Sequence, residues 1–293
     1  MPYKANILLD SIGENGKRIT TWELSYPRFV HAELMTHRVF SRNSSSSRAI
    51  PVNKMLERIV NDPATPVWWG KNQAGMQARE ELTGEVLEAV QKIWLEARDL
   101  MVQKASELNN LGLHKQIANR LTEPWMFITV ILTATEFDNW FKLRCHPDAQ
   151  PEIKYLADMM FSAYQANCPQ KLHYGEWHIP MLKAEESELS IDEKLAISTA
   201  RCARVSYMNH DGTNSNVEKD KGLHDSLASS GHWSPFEHCA QNVTQGDYKG
   251  SNFFGWNQYR KRFSGEDGVP EKPIETKRSN ICEDVIMAYE KCQ

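Results

Sequence analysis

The sequence predicts an α+β fold, a single domain in which a mixed, mainly antiparallel sheet packs against long helices. Three observations point there. Two β-rich stretches, "ANILLDSI" and "RITTWELSY", flank "GENGK", whose glycines and asparagine suit a tight reversal, so the chain opens on a hairpin. Val86, Val90, Ile93, Ala97, Leu100, Ala105 and Leu108 recur mostly every three or four residues with glutamates and lysines between them, the pattern of a core-packing amphipathic helix. After Pro124 the β-branched run "WMFITVILT" reads as a buried strand.

The remaining elements follow in order. Pro27 closes the hairpin, and Val30, Leu34 and His37 in "RFVHAELMTHRVF" stand at helical spacing, so a short helix feeds into a run of serines with His37 at its end. "NNLGL" stops the long helix, with Gly112 in the C′ role. From Thr135 to about Gln165 the sequence reads as two helices hinged at "HPD", with Asp148 as N-cap of the second and Pro151 and Glu152 in its first turn. "SELSIDEK" starts a further helix near residue 191, followed by the polar loop "MNHDGTNSNVEKDK". No repeat or low-complexity linker divides the chain. It is therefore taken as one domain over 1–293, with hairpin and serine loop in 1–50, a helical part in 51–190 and a closing segment in 191–293.

Composition excludes several classes of function. With 41% apolar residues and nine tryptophans the 293-residue chain can build a real core. A net charge of −4 argues against general affinity for nucleic acid, so basic groups matter only where they cluster. Cys145, Cys168, Cys202, Cys239, Cys282 and Cys292 show neither CxxC pairing nor zinc spacing, which fits reduced thiols in a cytoplasmic protein and gives no metal site. "MPYKANILLD" lacks the regions of a signal peptide, and the longest apolar run is too short to cross a bilayer, so no membrane association is expected.

Four stretches carry candidate chemistry. In "THRVFSRNSSSSRAIP", residues 36–51, hydroxyls and loop N–H groups flanked by Arg38 and Arg48 suit a phosphate, or else form a flexible surface loop; the glycines of a P-loop are missing. In "LRCHPDAQ" the adjacent Cys145 and His146 point about 100° apart on a helix, which is poor geometry for a nucleophile and base, whereas Arg144 at a helix end suits hydrogen bonding to a carbonyl or ring nitrogen. "SGHWSPFEHCAQ" does not match the HExxH metal spacing, but Ser234-Pro235 can open a helix with free N–H groups, or be a plain capped start. "GWNQYRKRF" interleaves aromatics with Arg260, Lys261 and Arg262, as in single-strand binding or a solvated cationic edge.

Together these segments resemble the flavin-dependent thymidylate synthase family. Its signature RHRxxSxNExSxRY is met by "THRVFSRNSSSSRA" at His37, Arg38, Ser41, Asn43, Ser46 and Arg48. A second block, "FDNWFKLRCHPDAQPEIKYLADMM", carries Asn139, Leu143, Arg144, Ala149-Gln150 and Glu152-Ile153. A third, "ARVSY" with "GHWSPFEH", lies ahead of the signature in the family and at the end here, so the segment order resembles a circular permutation. The resemblance implies transfer of a methylene from methylenetetrahydrofolate to C5 of dUMP, reduction by FADH⁻, NADPH as reductant of the flavin, and a homo-oligomer, tetrameric in the family. It implies that Ser44, Ser45, Ser46, Ser47, Arg48 and Arg120 hold the nucleotide beside Glu33 and Thr36, and that Arg144 stabilises charge on the uracil. It places His37, Arg38, Asn43, Asn139, Leu143, Ser206, Ser234 and Glu237 on the flavin, with no enzyme nucleophile.

The departures bear on substrate. Thr36, Ser44 and Ala49 replace the signature's arginine, glutamate and tyrosine, Glu33 replaces a glutamine, and Asp148 replaces a histidine after the activating arginine. The family's asparagine-alanine-arginine before the arginine's helix is "TAT". Arg260 to Arg262 are expected to supply the missing positive charge. The alternatives are a flavin and folate enzyme acting on dCMP or UMP, or leaving a hydroxymethyl group; a flavin-free thymidylate synthase using Cys145; and a non-catalytic nucleotide or single-strand binder.

Overall fold

In the computed structural model the described residues are 3–206, 216–244 and 249–266. Tyr207, residues 208–215 of the polar loop, Cys282, Cys292 and most of the closing extension lie outside them. The chain divides into a large unit, Met1–Arg262, which carries everything below, and a short one, Phe263–Gln293. Among the described residues no helix is long and apolar enough to cross a membrane.

The opening hairpin forms as its sequence demands. β1 (Lys4–Gly13) pairs antiparallel with β2 (Arg18–Pro27), with a bulge between Ile7 and Leu9. Gly16 closes the turn at φ 77°, a conformation that penalises a Cβ. A 3-10 turn, Arg28–Val30, leads into the short α1 (His31–Met35), and the signature then runs into strand β3 (Ser41–Ser44). Next come α2 (Val52–Asn61), the long α3 (Gly84–Asn110), the single turn α4 (Lys115–Ala118) and a 3-10 segment, Asn119–Trp125. "WMFITVILT" is indeed a strand, β4 (Phe127–Ala134), laid antiparallel between β2 and β3.

Two helices follow as expected, α5 (Asp138–Arg144) and α6 (Pro151–Ala166). The cap differs. Pro151 occupies the first position of α6, so Gln150 is the N-cap, while Asp148 stays in the hinge and pairs with Arg79 at 3.4 Å. β5 (Gln170–Leu172) adds parallel to β1 and completes a five-stranded sheet of order β3-β4-β2-β1-β5. β6 (Trp177–His178) precedes α7 (Ile191–Ala203), whose Ser190 and Glu193 form a capping box, and α8 (Val217–Ser229). β7 (Ala240–Asn242), β8 (Lys249–Gly250), β9 (Phe253–Phe254) and β10 (Trp256–Gln258) end the described chain, with β10, β7 and β6 in a second antiparallel sheet.

Alternation along β2 and β4 decides what each face of the main sheet touches. Trp22, Leu24, Tyr26, Ile128, Val130 and Leu132 point to one side and pack on Trp140 of α5 and on Ile153, Leu156 and Met160 of α6. Ile131 faces the other way, against Cys202 and Val205. Both faces are covered, so the main strands are buried and the sheet has few ways to shift register.

α3 departs from expectation. Trp94, Met101, Val102 and Ala105 face α2 and the 3-10 segment, but Val86, Ile93 and Leu100 are 57, 62 and 50% exposed. A helix of this length spans roughly 40 Å, and its short partners cover only one side. Gly112, at φ 87°, ends it in the anticipated C′ role. Leu156→Ala, emptying a fully buried site in α6, is expected to lower unfolding free energy by about 2–5 kcal/mol in urea titration; a loss under about 1 kcal/mol would contradict this packing.

Candidate active site

The signature turn is built around charges that satisfy one another. Arg42 turns its Nη1 back onto the carbonyls of Leu34, Met35 and His37 at 3.4, 3.3 and 3.2 Å, closing the C-terminal end of α1 with a cation. His37 is buried, its ring 5.7 Å from Phe40 and edge-on to Trp140 at 4.9 Å. Burial, reinforced by Arg144 and Arg42, pushes its pKa down to about 4. The ring is therefore neutral near pH 7, and its Nε2 accepts from Arg144 Nε at 3.0 Å.

Arg144, the last residue of α5, is gripped from three sides. Besides His37, its Nη1 donates to Glu33 Oε2 at 2.9 Å and its Nη2 to Thr36 Oγ1 at 3.2 Å and the Glu33 carbonyl at 3.4 Å. Burial raises the Glu33 carboxyl despite the arginine beside it, and the charge of Glu152 adds to the rise. Thr36, His37, Arg38, Asn139, Leu143 and Arg144 line one cavity of about 440 Å³. Six candidate residues from two distant blocks thus meet at one place. Glu136 and Asp138, which no motif marked, add an acidic rim. Arg38 and Asn139 are exposed and bond to no other described residue, leaving their donors available. Arg38 also borders a second cavity of about 520 Å³, walled in part by Arg42, Glu237 and Asn252.

The serine run is a pinned loop. Ser45 prolongs the pairing with β4 through its N–H to the Thr129 carbonyl at 2.8 Å and its Oγ, which accepts from Thr129 N–H at 3.1 Å. Asn119, fully buried, donates to the carbonyls of Ser47 at 2.7 Å and Ile50 at 3.0 Å, and Lys115 Nζ reaches the Ala49 carbonyl at 3.0 Å. Ser44 stands opposite Val130, Ser46 Oγ accepts from Arg48 N–H at 3.3 Å, and Arg48 is exposed. Ser45 and Ser47 border a separate cavity of about 400 Å³ beside α2. Arg120 pairs with Glu123 at 2.6 Å. Within one chain, Arg48 and Arg120 are therefore not among the residues lining the Arg144 cavity.

The closing segment returns to the signature. The 3-10 turn Ser234–Glu237 lies against β3, with Ser234 Oγ 3.4 Å from the Asn43 amide. Glu237 is ion-paired with Arg260. Arg262 sits over the Trp177 ring at 4.4 Å. Of the cationic edge expected to compensate for Thr36, Arg260 is thus held by a residue of the second cavity and Arg262 by an aromatic ring. Ser206 ends the turn Arg204–Ser206 at the margin of the described residues. Asn252 Nδ2 donates to the Val39 carbonyl at 2.9 Å, and Gln258 Nε2 to Ser41 Oγ at 3.1 Å. Burial, with a hydrogen bond to Asp158, pushes the Cys145 thiol up to about 11, which is poor for a nucleophile.

Sequence reasoning passed over Arg42, Asn119, Asn252 and Gln258. Arg42 is a variable signature position, and the other three act across 69 residues or more, so no local pattern marks them. Asn119→Ala is expected to cost about 1–3 kcal/mol by leaving two loop carbonyls without their donor, measured by denaturant unfolding. His31 and His37 both have folded pKa values near 4 against an ordinary 6.5. Their neutral burial contributes stability above about pH 6.5 that is lost as pH falls toward 4. A Tm that fell as pH dropped across this window, and fell less in His37→Gln, is the expected outcome.

A family model described as thymidylate synthase complementing protein matches residues 19–170, just over half of the chain. Among solved structures, the UMP/dUMP methylase PolB from Streptomyces cacaoi bound with 5-Br dUMP is 19% identical, with a TM-score of 0.40 over 50% of this chain and 65% of that one. The same protein bound with 5-Br UMP is 16% identical, with a TM-score of 0.48 over 56% and 88%. The chain thus spans slightly less than two thirds of the first of these. No individual curated protein matches significantly. Running from β2 to the start of β5, through the signature turn and the helix that ends in Arg144, the match shows that this chain belongs to the thymidylate synthase complementing protein family.

Proposed function

We propose that this protein is an FAD-dependent thymidylate synthase that methylates dUMP to dTMP, taking a methylene from methylenetetrahydrofolate and reducing equivalents from NADPH. The observation that carries the reading is the meeting of Thr36, His37, Arg38, Asn139, Leu143 and Arg144 on one cavity. The donor set fits a flavin. The free amide of Asn139 and guanidinium of Arg38 suit polar ring edges, while Val39 and Leu143 offer apolar contact. When bound, the flavin would supply the electrons that convert the transferred methylene to methyl.

The chain's own part is binding and electrostatics. Arg144 has five N–H groups, and the four bonds to His37, Glu33 and Thr36 leave one on Nη1 for a ligand carbonyl. The neutral His37 holds the guanidinium without adding charge, so stabilisation of negative charge on the pyrimidine falls to Arg144. Ser44 to Arg48 and Arg120 would take the nucleotide's phosphate. Glu33 on Arg144 offsets the cation at the base edge, and dCMP and UMP are the alternative substrates, with a hydroxymethyl group as the alternative product.

A homo-oligomer, tetrameric by family resemblance, accounts for two further features. Part of the apolar stripe of α3 is exposed, and Arg48 and Arg120 stand apart from the Arg144 cavity, as expected if sites are completed by another copy. The packing of the turn Ser234–Glu237 on β3 supports the permuted order of the third block. A cytoplasmic location accords with the reduced thiols.

Purified protein is expected to show the visible absorbance of flavin, perturbed by dUMP, and to yield dTMP by mass spectrometry with UMP and dCMP as comparisons. Colourless protein that stays inactive after reconstitution with FAD would overturn the reading. Arg144→Ala is expected to lower kcat by about 100-fold or more, with Cys145→Ala fully active. Light scattering should give a multiple of the chain mass, reduced in Ile93→Glu.

A further inference from the structure

A chain of buried polar groups runs under the main sheet and ends at the signature. Gln170 Nε2 donates to Ser11 Oγ at 3.1 Å, and Ser11 Oγ is 2.8 Å from His178 Nδ1. Thr21 Oγ1 lies 2.8 Å from His178 Nε2 and 2.7 Å from Thr133 Oγ1. Thr133 Oγ1 is 2.8 Å from His238 Nδ1, and His238 Nε2 is 2.9 Å from the amide of Asn43. Ser11, Thr21, Thr133, His178 and His238 are essentially without solvent exposure. Burial holds both imidazoles down at about 3, so each is neutral and carries one ring proton.

A neutral imidazole donates from one nitrogen and accepts at the other, and a hydroxyl has one proton to give. A hydroxyl can also accept twice, so two of the possible arrangements run unbroken, with every bond running toward Asn43 or every bond running away from it, and the proposal is that the chain is unbroken. Asn43 selects between them. The amide atom facing His238 also lies 3.0 Å from the Ser234 carbonyl and 3.3 Å from the Arg42 carbonyl, and two carbonyls can only accept, so that atom is the nitrogen. His238 Nε2 then accepts, and its proton sits on Nδ1 and goes to Thr133. Thr133 in turn donates to Thr21, Thr21 to His178 Nε2, and His178 Nδ1–H to Ser11.

We infer that His238 is a positioning residue for Asn43, holding the amide nitrogen inward through this directional relay and leaving Oδ1 outward beside Ser234 Oγ as a fixed acceptor. The signature strand thus offers an acceptor at this point, and the ligand group it meets is an N–H or O–H donor. That ligand consequence rests on the proposed role of Asn43 and Ser234 at the flavin; the proton arrangement does not.

The test is histidine nitrogen NMR on ligand-free, ¹⁵N-histidine-labelled protein. Expected are neutral Nδ1–H tautomers at both His238 and His178. A stable Nε2–H form or an imidazolium at either ring near neutral pH would overturn the inference. In Asn43→Ala the donor that fixes the direction is gone, so the single tautomer should be lost at both rings, including His178, which is separated from His238 by two threonines. Should His178 keep a pure Nδ1–H form while His238 changes, the relay is not coupled and the proposal fails. Because no flavin or nucleotide is present, a negative result here is separable from failure of the enzymatic reading.

Discussion

The placement of β4 between the hairpin and the signature strand is the constraint on which the rest depends. One edge of β4 pairs with β2 over eight residues and the other with β3 over four, and both faces are buried. Because side chains alternate, Ile128, Val130 and Leu132 build the core while Thr129 and Thr133 serve the opposite side. Thr129 anchors the serine loop and Thr133 carries the relay to Asn43. The strand leads into α5, whose last residue is Arg144. A shift of one residue in this strand would exchange core and polar faces and displace all three.

Around that strand the protein settles its charges locally. His37, His178 and His238 are kept neutral by burial. Arg201, nearly unexposed, is paired with Glu186 at 2.5 Å and Asp220 at 3.4 Å, and Asp220 also meets Arg204. These pairs tie α7 to α8 and fix the turn that leads to Ser206. Removing one partner would strand a buried charge, which is strongly destabilising. The side-chain donors of Arg38 and Asn139, unpaired among the described residues, stand out against this background of internal pairing.

How much of this was legible in the sequence depends on the range over which each feature is encoded. The hairpin, β4, the α5–α6 pair and the helix start near residue 191 follow from local alternation, turn residues and capping chemistry, and formed as read apart from the cap of α6. The meeting of the signature with Arg144 was legible only through family resemblance, since nothing local joins positions 107 residues apart. Gln258 acts over a longer span still and Asn119 over 69 and 72 residues, and no periodicity marks them. α3 shows a different failure. Its pattern correctly gave a helix, but an amphipathic stripe says only that a face is apolar, and here part of that face turns outward. At α6 the fixed φ of Pro151 moved the cap from Asp148 to Gln150.

β3 is short and forms the outer edge of the main sheet. Its free side is occupied by the turn Ser234–Glu237, and its approach is fastened by Asn252 and Gln258. An exposed edge strand invites pairing with the backbone of another molecule. By covering it with its own closing segment, the protein shields the stretch that carries candidate site residues from strand addition and aggregation. Resistance to strand addition and the shape of the candidate site thus depend on a single cover, contributed by chain more than 190 residues further along.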